Sequence, residues 1–262
     1  MEDRMEKREQ IIEWFLAPKS EMNSGAVLVG FILAGAGIYI IMKFGLFGGI
    51  IIAAGAVLAG VTINNHNTAQ KRYEARVADT QMDEWLEEEL KEVNKKALLK
   101  LGIDETECVA EPVCITGPRL WDTAGAKMLS RTGRDNIIRF TPVNVVVLNF
   151  GQHQLLSYEC AFDFTTGNCL NESTDEYFYK DIVSVSTKTT STEIIFEGES
   201  QKTQINSAET FVLATSGTSK IEVTLRSPKL AERMNLSGDI PTTRAEKAVQ
   251  AVRKMLREKK SS

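Results

Sequence analysis

The sequence predicts an α+β membrane protein. Its parts are a two-helix transmembrane hairpin, a long helical stalk, and a cytoplasmic antiparallel β-barrel or sandwich with a C-terminal amphipathic helix. Three observations carry this prediction. A Gly/Ala-rich apolar stretch spans residues 25–63 and is broken only at Lys43-Phe44-Gly45. A polar helical pattern free of proline follows over residues 64–103. From residue 105 to 227 the hydrophobic period changes to two, as half-buried strands require.

The apolar stretch decides the solvent. A helix needs about 20 apolar residues to cross a hydrocarbon core roughly 30 Å thick. Residues 24–42 make one such segment and residues 46–63 a second, and neither contains Asp, Glu, Lys or Arg. The join leaves room only for a tight turn. The length argues against a cleaved secretory signal, whose apolar core runs about 7–15 residues. Arg4, Lys7, Arg8 and Lys19 precede the first segment, and Lys71, Arg72 and Arg76 follow the second. Basic residues favour the cytoplasmic side. Both termini are therefore expected in the cytoplasm, with the hairpin in the plasma (inner) membrane. Lys43, alone at the turn, is expected to reach the far headgroups as an anchor.

Small residues pattern the hairpin. Ala26, Gly30 and Ala34 recur at four-residue spacing, as do Gly49 and Ala53, then Ala56 and Gly60. Such faces let helix backbones approach closely where lipid supplies no hydrophobic force between helices. Their first expected use is packing the two helices of one hairpin together. The second is association between copies of the chain.

Residues 1–23 form the leader. Within it, residues 2–17 have Met5, Ile12, Phe15 and Leu16 near one helical face, and Pro18 ends the pattern. Trp14 and Phe15 lie just before the membrane, where aromatic rings favour the interface, and are expected interfacial anchors. This helix either lies on the bilayer or packs on its own cytoplasmic domain. The stalk, residues 64–103, carries Met82, Leu86, Leu90, Val93, Ala97 and Leu101 on one helical stripe. Acidic Glu87-Glu88-Glu89 precedes basic Lys95-Lys96 and Lys100, an order that suits the helix dipole. Gly102 is the expected stop. The stripe packs on the following domain or on a neighbouring copy.

Residues 104–262 form the β-rich domain. Strands are expected over residues 144–150, 154–164, 176–186, 193–197, 209–215 and 220–226, rich in Val, Ile, Thr, Tyr and Phe. Gly151-Gln152-His153, Thr166-Gly167-Asn168 and Ser216-Gly217-Thr218 supply the turns. Many short antiparallel strands imply a sandwich or small barrel. Thr243-Arg244-Ala245-Glu246 is a capping box that opens a last helix to about residue 259. Ala245, Ala248, Val249, Val252 and Leu256 line one of its faces, and Arg253, Lys254, Arg257, Lys259 and Lys260 make its end basic.

This order of strands and helix, with the phrase Tyr177-Phe178-Tyr179-Lys180-Asp181-Ile182-Val183-Ser184-Val185, resembles the pleckstrin-homology-like domains, including their bacterial and GRAM-type members. The resemblance covers about residues 137–260. It implies a binding or scaffolding module for lipids or peptides. The chain departs from it at residues 117–135, which look inserted, and at the connection 227–241. The resemblance carries over no phosphoinositide site, because the first hairpin loop, Gly151-Gln152-His153, lacks the basic cluster such a site needs. A protein or peptide partner is the better use of the fold.

Composition narrows the function classes. The formal net charge is −4, with no basic domain, which argues against a nucleic-acid partner. The four cysteines, Cys108, Cys114, Cys160 and Cys169, have no metal-ligand spacing and read as small half-buried strand residues. There is no phosphate loop, nucleophile elbow or zinc-protease helix. With two histidines, His66 and His153, a general base has few candidates. The reading is a non-enzymatic, cofactor-free scaffold at the membrane lipid, binding a protein or lipid partner and self-associating through its small-residue faces. The alternative is a homo-oligomeric pore with a cytoplasmic β ring.

Overall fold

A computed structural model describes residues 2–17, 24–44, 46–119, 125–194, 203–217, 219–226, 238–239 and 243–260. The chain is α+β, with five α-helices and open antiparallel sheets among these residues. It divides into two compact units. One is Glu9–Val77; the other is Ala78–Ser262 together with Asp3–Arg8.

The first unit holds most of α1 (Glu2–Leu16), with α2 (Ser24–Phe44) and α3 (Leu46–Ala75). Helices α2 and α3 pair as an antiparallel hairpin. A Cβ on Gly30 would lie 2.9 Å from the Gly55 carbonyl oxygen and 3.0 Å from the Ala59 Cβ. A Cβ on Gly55 would lie 2.5 Å from the Gly30 oxygen and 2.8 Å from the Ala34 nitrogen. The backbones therefore touch where two glycines face each other, and no larger side chain fits. The large side chains point the other way: Phe31 is 62% exposed and Val57 is 64% exposed. Among the described residues, one helix, Gly49–Ala75, is by length and composition long and apolar enough to cross a membrane, and 11% of its most apolar window is buried within the chain. Ser24–Tyr39 is a shorter apolar helix. Within α3, Thr62 donates its hydroxyl to the Leu58 carbonyl at 2.8 Å, so its polar group is satisfied inside the helix.

The expected single stalk helix is instead two helices. Helix α3 ends at Ala75, and α4 (Asp79–Leu101) begins in the second unit after a break of three residues. Side chains on either side of the break have their own tertiary partners. The Arg76 guanidinium stacks on Tyr73 and Trp14, at 4.2 and 5.1 Å from the ring centres. Asp79 accepts the backbone N–H groups of Arg134 and Asp135 at 2.5 and 3.2 Å. These contacts override a propensity that alone would continue the helix. The far end stops where expected: Gly102 takes φ +69° and its N–H returns to the Leu98 and Leu99 carbonyls.

The second unit contains nine strands among the described residues. They are β1 (Ala110–Pro118), β2 (Leu129–Thr132), β3 (Ile138–Thr141), β4 (Val143–Phe150), β5 (Gln154–Asp163), β6 (Asn168–Phe178), β7 (Ile182–Ile194), β8 (Thr203–Thr215) and β9 (Lys220–Arg226). Helix α5 (Thr243–Lys260) closes the chain order. One sheet has the order β1-β4-β5-β6, a second β7-β8-β9, and β2-β3 form a separate ribbon. These are open sheets, where the sequence suggests a barrel or sandwich. Strand β1 and the ribbon have no counterpart among the expected strands; β2 lies in the segment 117–135 that looks inserted, and β3 lies just beyond it.

The expected strand 176–186 is cut by a short 3-10 turn, Tyr179–Asp181, which carries the chain from the first sheet to the second. Burial explains the cut. The Tyr179 ring joins the core and its hydroxyl donates to the Gly151 carbonyl at 2.9 Å. Strand β7 reaches residue 194, so the rest of the expected strand 193–197 lies outside the described residues. The capping-box side chains Thr243 and Glu246 also lie outside what is described, as does most of the 227–241 connection.

One core joins both sheets and α5. Val146, Leu148 and Phe150 of β4 meet Phe211 and Leu213 of β8, Val223 and Leu225 of β9, and Val249, Val252 and Leu256 of α5. Burying each of these large side chains stabilises the fold by about 1.5–3 kcal/mol. Every residue of β4 is buried, so its outer face is covered as well. Helix α4 supplies that cover through the predicted stripe: Met82, Val93 and Ala97 are buried, with Leu90 beside Val147 and Cys114. The first turns of α1 add charged contacts to this unit. Lys7 pairs with Glu88 at 3.0 Å, and Arg8 pairs with Glu89 at 2.7 Å while donating to the Phe164 carbonyl. At Gly117 the two sheets meet so closely that a Cβ would fall directly against the Thr224 carbonyl oxygen.

Candidate functional site

The predicted hairpin residues separate into two groups. Gly30 and Ala34 lie at the contact between α2 and α3, and Ala26 is half-buried on the same helix. Their partners on α3 are Gly55 and Ala59, a second pair at four-residue spacing that the sequence reading did not assign to this contact. Gly49 and Gly60 have nothing within 4 Å of a built Cβ, and Ala53 and Ala56 are exposed. The α3 face assigned to hairpin packing is thus turned outward. The reason is helical phase: Gly55 and Ala59 share one face, whereas residues 49, 53, 56 and 60 share another.

The two aromatic anchors are also corrected. Trp14 is fully buried and Phe15 nearly so, packed edge to face at 5.1 Å. Arg76 covers the Trp14 ring, and Arg72 holds Glu13 through two hydrogen bonds of 2.9 and 2.8 Å. A ring enclosed by its own chain cannot sit among headgroups. Lys43 lies in α2, but its side chain is outside the described set.

The feature best suited to hold a ligand lies in the β unit. Strand β7 has β8 as its only strand partner, so its opposite edge carries no strand among the described residues. The register slips between Ile182 and Ser184, making Val183 a bulge residue that is 59% exposed. A groove of about 490 Å³ runs along this edge against α5, lined by Ile182, Val183, Ser184, Val185, Arg253, Leu256 and Arg257. Ile182 and Leu256 belong to the core and form an apolar floor. Arg253 and Arg257, one helical turn apart, put two positive charges on the helix side. An open strand edge offers backbone donors and acceptors at strand spacing, which an extended peptide can complete as an added strand.

Sequence reasoning identified both halves of this groove without joining them. The phrase around Ile182–Val185 and the basic end of α5 were each visible. Their juxtaposition needs the sheet order. His153, considered as a general base, stands at the β4–β5 turn and accepts the Tyr179 N–H through its carbonyl at 3.2 Å. Asp163 is occupied structurally, accepting from the hydroxyls of Thr141, Thr165 and Thr166 at 3.2, 2.7 and 2.8 Å. No cluster of three or more metal-ligating side chains occurs among the described residues. No family model, no curated protein and no solved structure matches this chain.

Proposed function

We propose that this chain is a membrane-anchored interaction protein whose PH-like β unit binds an extended, acidic segment of a protein partner. The observation that carries the reading is the groove between the open edge of β7 and α5. Its apolar floor suits alternate side chains of an added strand, and Arg253 and Arg257 suit a carboxylate on the same peptide. The PH-like resemblance is supported by the meander of strands in a four-stranded and a three-stranded sheet, followed by one helix packed on the core.

The membrane anchor is the α2–α3 hairpin, crossing twice with both termini in the cytoplasm. The outward Leu28, Phe31, Ile32, Ile50 and Val57 support it, because water would penalise that surface and lipid would not. The outward row Gly49, Ala53, Ala56 and Gly60 supports self-association of the hairpins. The pore alternative lacks a wet lining, since residues 25–39 and 49–61 carry no charged or amide side chain.

The test is co-purification in mild detergent from native membranes. The wild-type chain is compared with Arg253→Glu/Arg257→Glu and with Val183→Asp. A partner retained by wild type and lost from both variants is expected, with the variants still folded by circular dichroism. An identical set of co-purifying proteins in all three would overturn the groove as the binding surface.

A further inference from the structure

The chain carries in its own sequence a segment with the chemistry that the β7–α5 groove suits. Residues 193–199 read Glu-Ile-Ile-Phe-Glu-Gly-Glu. Successive side chains of an extended backbone alternate in direction. Ile194 and Phe196 therefore share one face of such a segment, and Glu193, Glu197 and Glu199 share the other. Glu193 and Ile194 end β7, whose last pair with β8 is Ile194↔Thr203. Residues 195–202, which join the two strands, lie outside the described residues.

This tip and the groove belong to opposite ends of β7. The groove takes the first residues of the strand, Ile182 to Val185. From Val185 to Ile194 the strand advances nine residues, about 30 Å at roughly 3.3 Å per residue. The eight joining residues must leave β7 and return to β8, so they reach at most roughly 15 Å beyond the last pair. A tip cannot enter the groove of its own chain while β7 and β8 stay paired. The groove of another copy has no such limit.

We propose, on the groove reading above, that the acidic segment bound there is the β7–β8 tip of a second copy of this chain, residues 193–199. Ile182 and Leu256 form the apolar floor, which suits Ile194 and Phe196. With those two side chains on the floor, Glu197 and Glu199 stand at the rim. Arg253 and Arg257, one helical turn apart on the wall, meet these carboxylates with charge-assisted hydrogen bonds. The edge of β7 that carries no strand among the described residues adds backbone hydrogen bonds to the extended segment. Two copies that exchange tips close a two-fold pair, each contributing one tip and one groove. Tethering both copies to one membrane raises their effective concentration, which favours a contact that is weak in free solution.

The experiment uses two differently tagged full-length copies, co-expressed and purified in mild detergent. One carries Val183→Cys at the groove and the other Gly198→Cys at the tip. Each copy holds one new thiol, so a 183–198 disulfide reports only contact between copies. Mild oxidation is followed by peptide mass spectrometry, which separates this disulfide from links to the native cysteines Cys108, Cys114, Cys160 and Cys169. A 183–198 link between the two tags is expected. Arg253→Glu/Arg257→Glu in the groove copy, or Glu197→Lys/Glu199→Lys in the tip copy, should lower it at least about fivefold through like-charge contact. The two reversals together should restore the link, a rescue that a misfolded variant would not give.

A 183–198 link that is absent, or that ignores both reversals, overturns the proposal. Co-purification separates this failure from failure of the groove itself. A different protein retained by wild type and by the tip reversal, and lost only from the groove reversal, keeps the groove as a binding surface and removes the second copy as its occupant. A set of partners, other copies included, that neither reversal changes removes both.

Discussion

The α2–α3 hairpin and the β unit place their large side chains oppositely. In the α2–α3 hairpin, Gly30, Ala34, Gly55 and Ala59 face inward and Phe31, Ile32 and Val57 face outward. In the β unit, Phe150, Phe162 and Phe211 are fully buried, and Glu, Lys, Thr and Ser occupy much of the exposed strand surface. The difference teaches what holds each unit together. The β unit relies on removing apolar area from water. The hairpin gains little in that way, because its apolar area stays outside; close backbone contact and dispersion carry it instead.

The largest expected effect breaks the β side of this contrast. Phe211→Ala removes a fully buried ring shared by both sheets and should cost about 3–5 kcal/mol, read from urea unfolding of the full chain in detergent. A loss below about 1 kcal/mol would mean the two sheets do not share one core. Next is the outward face of the hairpin. Ile32→Arg puts a charge near the middle of α2, and should reduce the carbonate-resistant membrane fraction with an insertion penalty of about 2.5–3.5 kcal/mol. Unchanged membrane retention would remove lipid as the neighbour of that face.

The inward face comes third. Gly55→Leu forces side-chain atoms against the Gly30 carbonyl and should destabilise helix pairing by about 1–3 kcal/mol, measured by SDS titration. Gly60→Leu meets nothing in the same chain, so it should change pairing by less than about 0.5 kcal/mol. If it nevertheless lowers the mass of the purified particle, the outward small-residue row is where copies meet. Equal effects from both substitutions would contradict the inward and outward assignment.

The smallest effect concerns acid sensitivity of the β unit. Hydrogen bonds from Arg139 hold the Asp135 carboxyl below its usual range, against a partial burial effect. Glu172 is also held low: burial pushes it up, and Lys96 and Tyr158 more than offset that. A carboxylate depressed on folding contributes stability above its unfolded pKa, and that contribution disappears as pH falls through the folded value. Stability should therefore decline below about pH 4, and Asp135→Asn should flatten part of that slope. A variant with the wild-type acid limb would show that the Arg139–Asp135 pair does not differ between folded and unfolded states.

Much of the fold was legible because it rests on local periodicity. The core strands 144–150, 154–164 and 220–226, the stripe on α4 and the Gly102 stop appear close to where the pattern places them. What was not legible involves competition between local preference and distant partners. The helix break at residues 76–78 follows tertiary commitments of Arg76 and Asp79. The 3-10 turn at Tyr179 follows the burial of one ring. Trp14 was placed at an interface by its neighbours in sequence and is enclosed by residues about sixty positions away.

The candidate groove was half legible. Its strand and its arginines were visible as separate patterns, while the edge of β7 without a strand among the described residues follows from β8 pairing on its other side.

By itself, the sequence determined which segments are helical or extended, where apolar length concentrates, and which turns end the elements. These depend on period, composition and backbone chemistry within a few residues. Only the tertiary structure decided which small residues meet inside the hairpin and which strand edge carries no partner among the described residues. Those outcomes depend on helical phase, sheet order and register, and a shift of one residue in any of them moves a side chain to a different face.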